Sequence, residues 1–99
     1  MAAGATGRVA LSDVWSALST VIDPEIGLDI VTLGLVYGVE IDEGEVRVIH
    51  SLTTPGCPMA DVIARGIELA VRLEPGVTKV TPVLVWEPRW HPGFIGEGV

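Results

Sequence analysis

The chain has 99 residues, 48% of them apolar, which suits one small domain with a single modest core. Its net charge of −7, with only six basic residues, disfavours nucleic acid, whose binding rests on phosphate neutralisation, and disfavours an anionic membrane surface. No apolar run approaches the roughly 20 residues that span a bilayer. The N-terminus MAAGATGRVA has no signal-like apolar segment. A single cysteine rules out an internal disulfide framework. Together these features point to a cytoplasmic protein.

Residues 1–11 read as a loose arm. From Ser12 the spacing turns helical, with Leu11, Trp15, Leu18 and Ile22 in one stripe and Val14 and Val21 beside it. Ser12 or Asp13 suits the N-cap, and the Asp-Pro-Glu of residues 23–25 ends the helix. Gly27 and Gly34 break the following stretch into loop and turn. Leu35, Tyr37, Val39 and Ile41 then alternate with Val36, Gly38 and Glu40 at strand period. The Asp-Glu-Gly-Glu of 42–45 reads as a hairpin turn with Gly44 at positive φ. A second strand covers 45–53, with Val46, Val48, His50 and Leu52 on one face.

After Thr-Pro-Gly-Cys-Pro comes an amphipathic helix. Met59, Val62, Ile63, Gly66, Ile67, Ala70 and Leu73 form its apolar face, opposite Asp61, Arg65, Glu68 and Arg72. Glu-Pro-Gly at 74–76 stops it. A third strand covers 77–86, placed at a sheet edge because Pro82 lacks an amide hydrogen. Residues 96–99 read as a tail, and 12–95 as one domain. The fold class is α/β (α+β): a compact α-β-β-α-β domain with a small mixed sheet and both helices on one face. The other face, with Val36, Ile49, Val83 and Val85, is too apolar to be fully wet. Either the segment with Trp90 and Phe94 covers it, or a second subunit does, giving a homodimer.

Cys57 is the residue that chemistry would use. Pro58 suits the first helical position, which makes Cys57 the N-cap, at the positive end of the helix dipole. That setting lowers a thiol's pKa, and the thiolate is both nucleophile and metal ligand. Gly56 leaves room for close approach, and Thr53 and Thr54 carry hydroxyl donors. The bland alternative is an inert small residue at a helix start. An iron–sulfur cluster or structural zinc ordinarily takes four protein ligands, and one Cys with two His cannot supply them. No cofactor is therefore expected to be permanently bound. A single exposed thiolate can instead supply one ligand to a metal shared with a second subunit, a small thiol or a client protein, or attack an electrophile. Asp23, Glu25 and Asp29 are either oxygen ligands or a base for the thiol, or else solvated acids of a helix-terminal turn. His50 reads as a core histidine, and His91 as a surface or packing residue.

Three stretches resemble a known family. DPEIGLDIVTLGLVYGVEI, LTTPGCPM and WEPRW occur in the order and spacing of the SufT/PaaD-like iron–sulfur assembly domains, across residues 12 to 95. The resemblance implies a compact α/β domain (FSCA-like) and a role in maturing iron–sulfur proteins. It carries the reactive cysteine to Cys57 and the acidic motif to Asp23 and Glu25, with Thr54 in the cysteine's loop. The family often reads Glu-Pro-Pro-Trp-Thr-Pro near its end; here Arg89 and His91 replace Pro and Thr. PaaD-type members carry a cysteine-rich C-terminal extension that is absent here, which points to the general SufT-like branch. No phosphate-binding loop is present, so any ATPase is expected on a separate chain.

Three functions follow as expectations. The first is a non-enzymatic assembly factor that holds transient iron or an iron–sulfur cluster through Cys57, or an adaptor, whose partners are iron–sulfur carrier proteins and apo client proteins. The second is a thiol enzyme with Cys57 as nucleophile and Asp23 or Glu25 as its base. The third is a dimeric interaction module without metal.

Overall fold

A computed structural model describes residues 9–53 and 59–95 of the chain. Helix α1 spans Leu11–Leu18, strand β1 Val36–Asp42, β2 Glu45–His50, helix α2 Met59–Arg72 and β3 Lys79–Leu84. A short 3-10 turn, Pro92–Phe94, follows. The element order is the expected α-β-β-α-β. β2 lies in the middle of the sheet, antiparallel to β1 and parallel to β3. Pro82 therefore sits on an edge strand, as its missing amide requires. The parallel β2–α2–β3 unit places α2 over the sheet, and α1 packs beside α2.

One core fills the space between the helices and the sheet. Val14 and Leu18 from α1, Ile63 and Ile67 from α2, and Val46 and Val48 from β2 are essentially fully buried there. The connection from α1 to β1 contributes Ile30, Leu33 and Leu35, also fully buried. This apolar run is therefore core, although it has no regular secondary structure.

Several local expectations are corrected. α1 ends at Leu18, well before the Asp-Pro-Glu motif. The hydroxyls of Ser19 and Thr20 donate to the carbonyls of Ser16 and Ala17, each at 2.6 Å. Such side-chain bonds compete with the helical ladder and close it off. The N-cap is Ala10, with no side-chain cap bond, rather than Ser12 or Asp13. Leu11 lies within α1 and is half exposed, as is Ile22, so the buried stripe is Val14, Ala17, Leu18 and Val21.

Strand alternation alone puts Val36 on the far sheet face, yet it is buried in the core. It pairs with His50, and the register shifts between Val36 and Gly38. That bulge inserts one residue and brings Val36 into phase with Val39 and Ile41, while Tyr37 moves to the far face. In the hairpin, the positive φ of 58° falls on Glu43. Gly44 is required for space instead: a Cβ there would lie 2.7 Å from Thr78 Oγ1 and 2.8 Å from the Gly76 carbonyl.

The segment after β3 returns to Tyr37 on the far face and to the connection that precedes β1. Trp90 Nε1 donates to the Leu33 carbonyl at 2.7 Å, and Tyr37 Oη donates to the Pro88 carbonyl at 2.7 Å. The Tyr37 and Phe94 rings meet edge to face at 6.1 Å. Gly34, at φ 76°, leaves no room for a side chain, because a Cβ would collide with the Phe94 backbone. Ile49, Val83 and Val85 remain half-buried on that face.

Candidate functional site

The acidic motif is built as a closed turn. Pro24 fixes φ just after Asp23, and the chain reverses within a few residues. The Asp23 carbonyl accepts the amides of Ile26 at 3.2 Å and Gly27 at 2.7 Å, and the Asp23 amide donates to Leu28 at 2.9 Å. Gly27 takes the positive φ of 86° that such a reversal needs. Below it, Ile22 bridges Asp29, and the Ile30 amide donates to Val21 at 2.9 Å. The loop is thus tied at both its mouth and its tip.

The three carboxylates have separate fates. Asp23 is buried, only 3% exposed, and its Oδ1 accepts the Glu25 amide at 2.9 Å. The carboxylate therefore shapes the turn from inside. Glu25 is exposed on that turn. Asp29 faces the next turn, where its two oxygens accept the amide of Thr32 at 2.9 Å and its hydroxyl at 2.7 Å. Burial raises its pKa, but the Thr32 bonds outweigh this and hold Asp29 below the ordinary carboxylate value. Asp29 is a local cap. The Asp-x-x-Thr spacing in the sequence is the signal that would have identified Thr32 as its partner.

His50 lies at the end of β2, 2% exposed, with Nδ1 3.3 Å from the Ser51 carbonyl. Burial lowers its pKa, so it sits as the neutral imidazole. His50 is a core residue, as expected. His91 is exposed; its ring packs on Phe94 at 4.3 Å, and its Nδ1 accepts the Gly93 amide at 3.0 Å. It is a packing residue of the tail. Ser51 follows His50 and is fully buried, donating its amide to Leu35 at 2.9 Å. This bond ties the strand that leads toward the cysteine motif to the strand entrance that follows the acidic motif.

Cys57 and Thr54 lie outside the described residues, as do Gly56 and Pro58, so the expected N-cap position of Cys57 is not described. The elements that flank their segment are β2 and α2. Of the four expected site residues, Asp23 and Glu25 fall together on one braced turn. Among the described residues, no three His, Cys, Asp or Glu side chains gather in a group able to hold a metal ion. No helix among them is long and apolar enough to cross a membrane.

The family model described as "Iron-sulfur cluster assembly protein" matches residues 11–82, a span that includes both the acidic and the cysteine motif. The chain belongs to this family. It is 42% identical over 79 residues to the Fe-S protein maturation auxiliary factor YitW of Bacillus subtilis, covering 79% of this chain and 78% of that protein. It is 44% identical over 71 residues to the Fe-S protein maturation auxiliary factor SufT of Staphylococcus aureus, covering 71% of this chain and 81% of that protein. Among solved structures, a conserved hypothetical protein of Thermotoga maritima superposes with a TM-score of 0.81 at 42% identity, covering 91% of this chain and 89% of that one. The SufT-like resemblance and the α/β fold of this assembly family thus stand together.

Proposed function

We propose that this iron–sulfur assembly family member is a non-enzymatic maturation factor. Iron or a nascent cluster is its cargo, held transiently through Cys57, or else it brings carrier proteins to apo client proteins. The observation that carries this reading is the span of the family match, which takes in the acidic turn and the cysteine motif together. The names of the relatives, maturation auxiliary factors of comparable length, support the same role. A single thiolate suits temporary ligation, because a lasting cluster ordinarily takes four cysteines from its protein. Glu25 presents a carboxylate from a turn held by Asp23, and Thr54 contributes a hydroxyl in the cysteine's loop. The workplace is the cytoplasm, whose reducing conditions keep a lone thiol free.

Anaerobic reconstitution with iron and sulfide tests the cargo reading. Wild type is expected to retain iron and sulfide after desalting, and Cys57→Ser to lose them. Equal retention by the two proteins removes Cys57 as the ligand. A pull-down from native cytoplasm tests the adaptor reading: iron–sulfur carriers or clients are expected with wild type and depleted with Cys57→Ser. The rate of iodoacetamide alkylation against pH reads the thiol directly. A Cys57 pKa near the free-thiol value of about 8.5 would remove the argument for an activated thiolate.

A further inference from the structure

α2 has more apolar surface than the core covers. Ile63, Ile67 and Val71 point inward and are at most 1% exposed. Val62, Leu69 and Leu73 form a second stripe and are 50%, 61% and 84% exposed. This stripe borders a shallow groove whose other wall is Val21 and Ile22 and whose floor is Gly66. Gly66 keeps the floor low, since a Cβ there would already stand 3.1 Å from Val21 Cγ1.

We propose that this groove is a self-association surface, on which α2 of a second copy lies antiparallel. The charge order along its rim selects that occupant. Asp61, Arg65, Glu68 and Arg72 alternate acid and base at helical spacing. The one ion pair found among the described residues is Arg47 with Glu40, at 2.8 Å, so none of these four is paired with another described residue. Reversed in direction, the series becomes base, acid, base, acid. An antiparallel copy centred between Gly66 and Leu69 therefore sets Arg65 beside Glu68 of the second copy and Arg72 beside Asp61 of the second copy. The same alignment seats Leu69 over Gly66 of the second copy and Val62 against Leu73 of the second copy. The charged pairs are offset from these apolar layers by about 3 Å along the axis, well within the reach of an arginine. A parallel pairing would oppose acid to acid and base to base. The contact is isologous and closes as a two-fold dimer. The opposite sheet face, the other candidate for dimerisation, is partly taken by the chain itself, with Tyr37 packed on Phe94.

A single helix pair with its flanking groove lies at the small end of specific interfaces, so the dissociation constant is expected in roughly the micromolar range. Sedimentation equilibrium of the full chain from about 5 to 500 µM, with reductant present to exclude Cys57 cross-links, tests the proposal without reference to metal. Wild type is expected to follow a monomer–dimer equilibrium. Leu69→Lys should raise the dissociation constant by at least about tenfold, with circular dichroism showing an intact fold. Arg65→Glu should weaken the dimer by about fivefold to tenfold, and Arg65→Glu with Glu68→Arg should restore it to within about threefold. A wild type that stays monomeric throughout overturns the proposal; residues 1–8 occupying the groove would give that result. A dimer indifferent to Leu69→Lys, or one that the charge exchange does not restore, places the interface elsewhere and overturns it equally.

Discussion

The inner and outer faces of α2 carry the same kinds of side chain in opposite surroundings. Ile63, Ile67 and Val71 are enclosed by the sheet and α1, whereas Val62, Leu69 and Leu73 meet solvent within the single chain. Helical period groups apolar residues, but it does not say how many neighbours share them. The inner face answers to the fold of one copy. The outer face answers to whatever arrives from outside, and its stability consequences should differ accordingly.

The contrast is tested most severely by truncating each face. Ile67→Ala removes three methylene-sized groups from a fully buried site and is expected to cost about 2–5 kcal/mol in urea unfolding. A cost near zero would mean the inner face is not the core. The next effect concerns His50, the imidazole enclosed on that inner side. Its folded pKa lies below the unfolded value of about 6.5. Above pH 6.5 both states are neutral and the residue adds no pH dependence. As pH falls below 6.5 the unfolded chain takes up a proton first, and stability declines by up to about 1.4 kcal/mol per pH unit until the folded pKa is reached. His50→Gln should flatten the stability profile in that window; an unchanged slope would show that another group titrates there.

Asp23→Ala strips the acceptor of the Glu25 amide from inside the acidic turn, at an expected cost of about 1–2 kcal/mol, while Asp23→Asn, which keeps an acceptor oxygen, should retain most of the stability. Equal losses in the two variants would show that the charge, not the hydrogen bond, holds the turn. Smallest of all should be Leu69→Ala. Measured at a concentration low enough for monomer, it is expected to change stability by no more than about 0.5 kcal/mol. A loss as large as that of Ile67→Ala would erase the distinction between the faces.

Much of the fold was legible because alternation and helical period are direct consequences of one-sided burial. β2 shows this best: Val46, Val48 and His50 were read as one face and all three are buried. What escaped depended on single backbone events. Nothing in the period of Val36 to Ile41 announces the bulge that turns Val36 inward. Ser19 and Thr20 end α1 by hydroxyl bonds that helix propensity resists only weakly. The hairpin glycine was expected to supply a positive φ, and instead it makes room for Thr78, a constraint set by a residue 34 positions away. At the candidate site, the motif singles out Asp23 and Glu25 together, but one is buried and the other exposed, a difference the motif does not encode. Asp29 stood with them in sequence and is taken by Thr32. Cys57 rests on the family's motif and the local logic of Gly56 and Pro58.

The position of β3 has a consequence for the chain's behaviour at high concentration. An outer strand is a template on which other strands can add, and that is a common route to aggregates. Pro82, paired with Val48 in the middle of β3, interrupts the row of amides such a strand would need, and Lys79 at its start adds a charge against stacking. The edge is thereby closed to indiscriminate sheet extension.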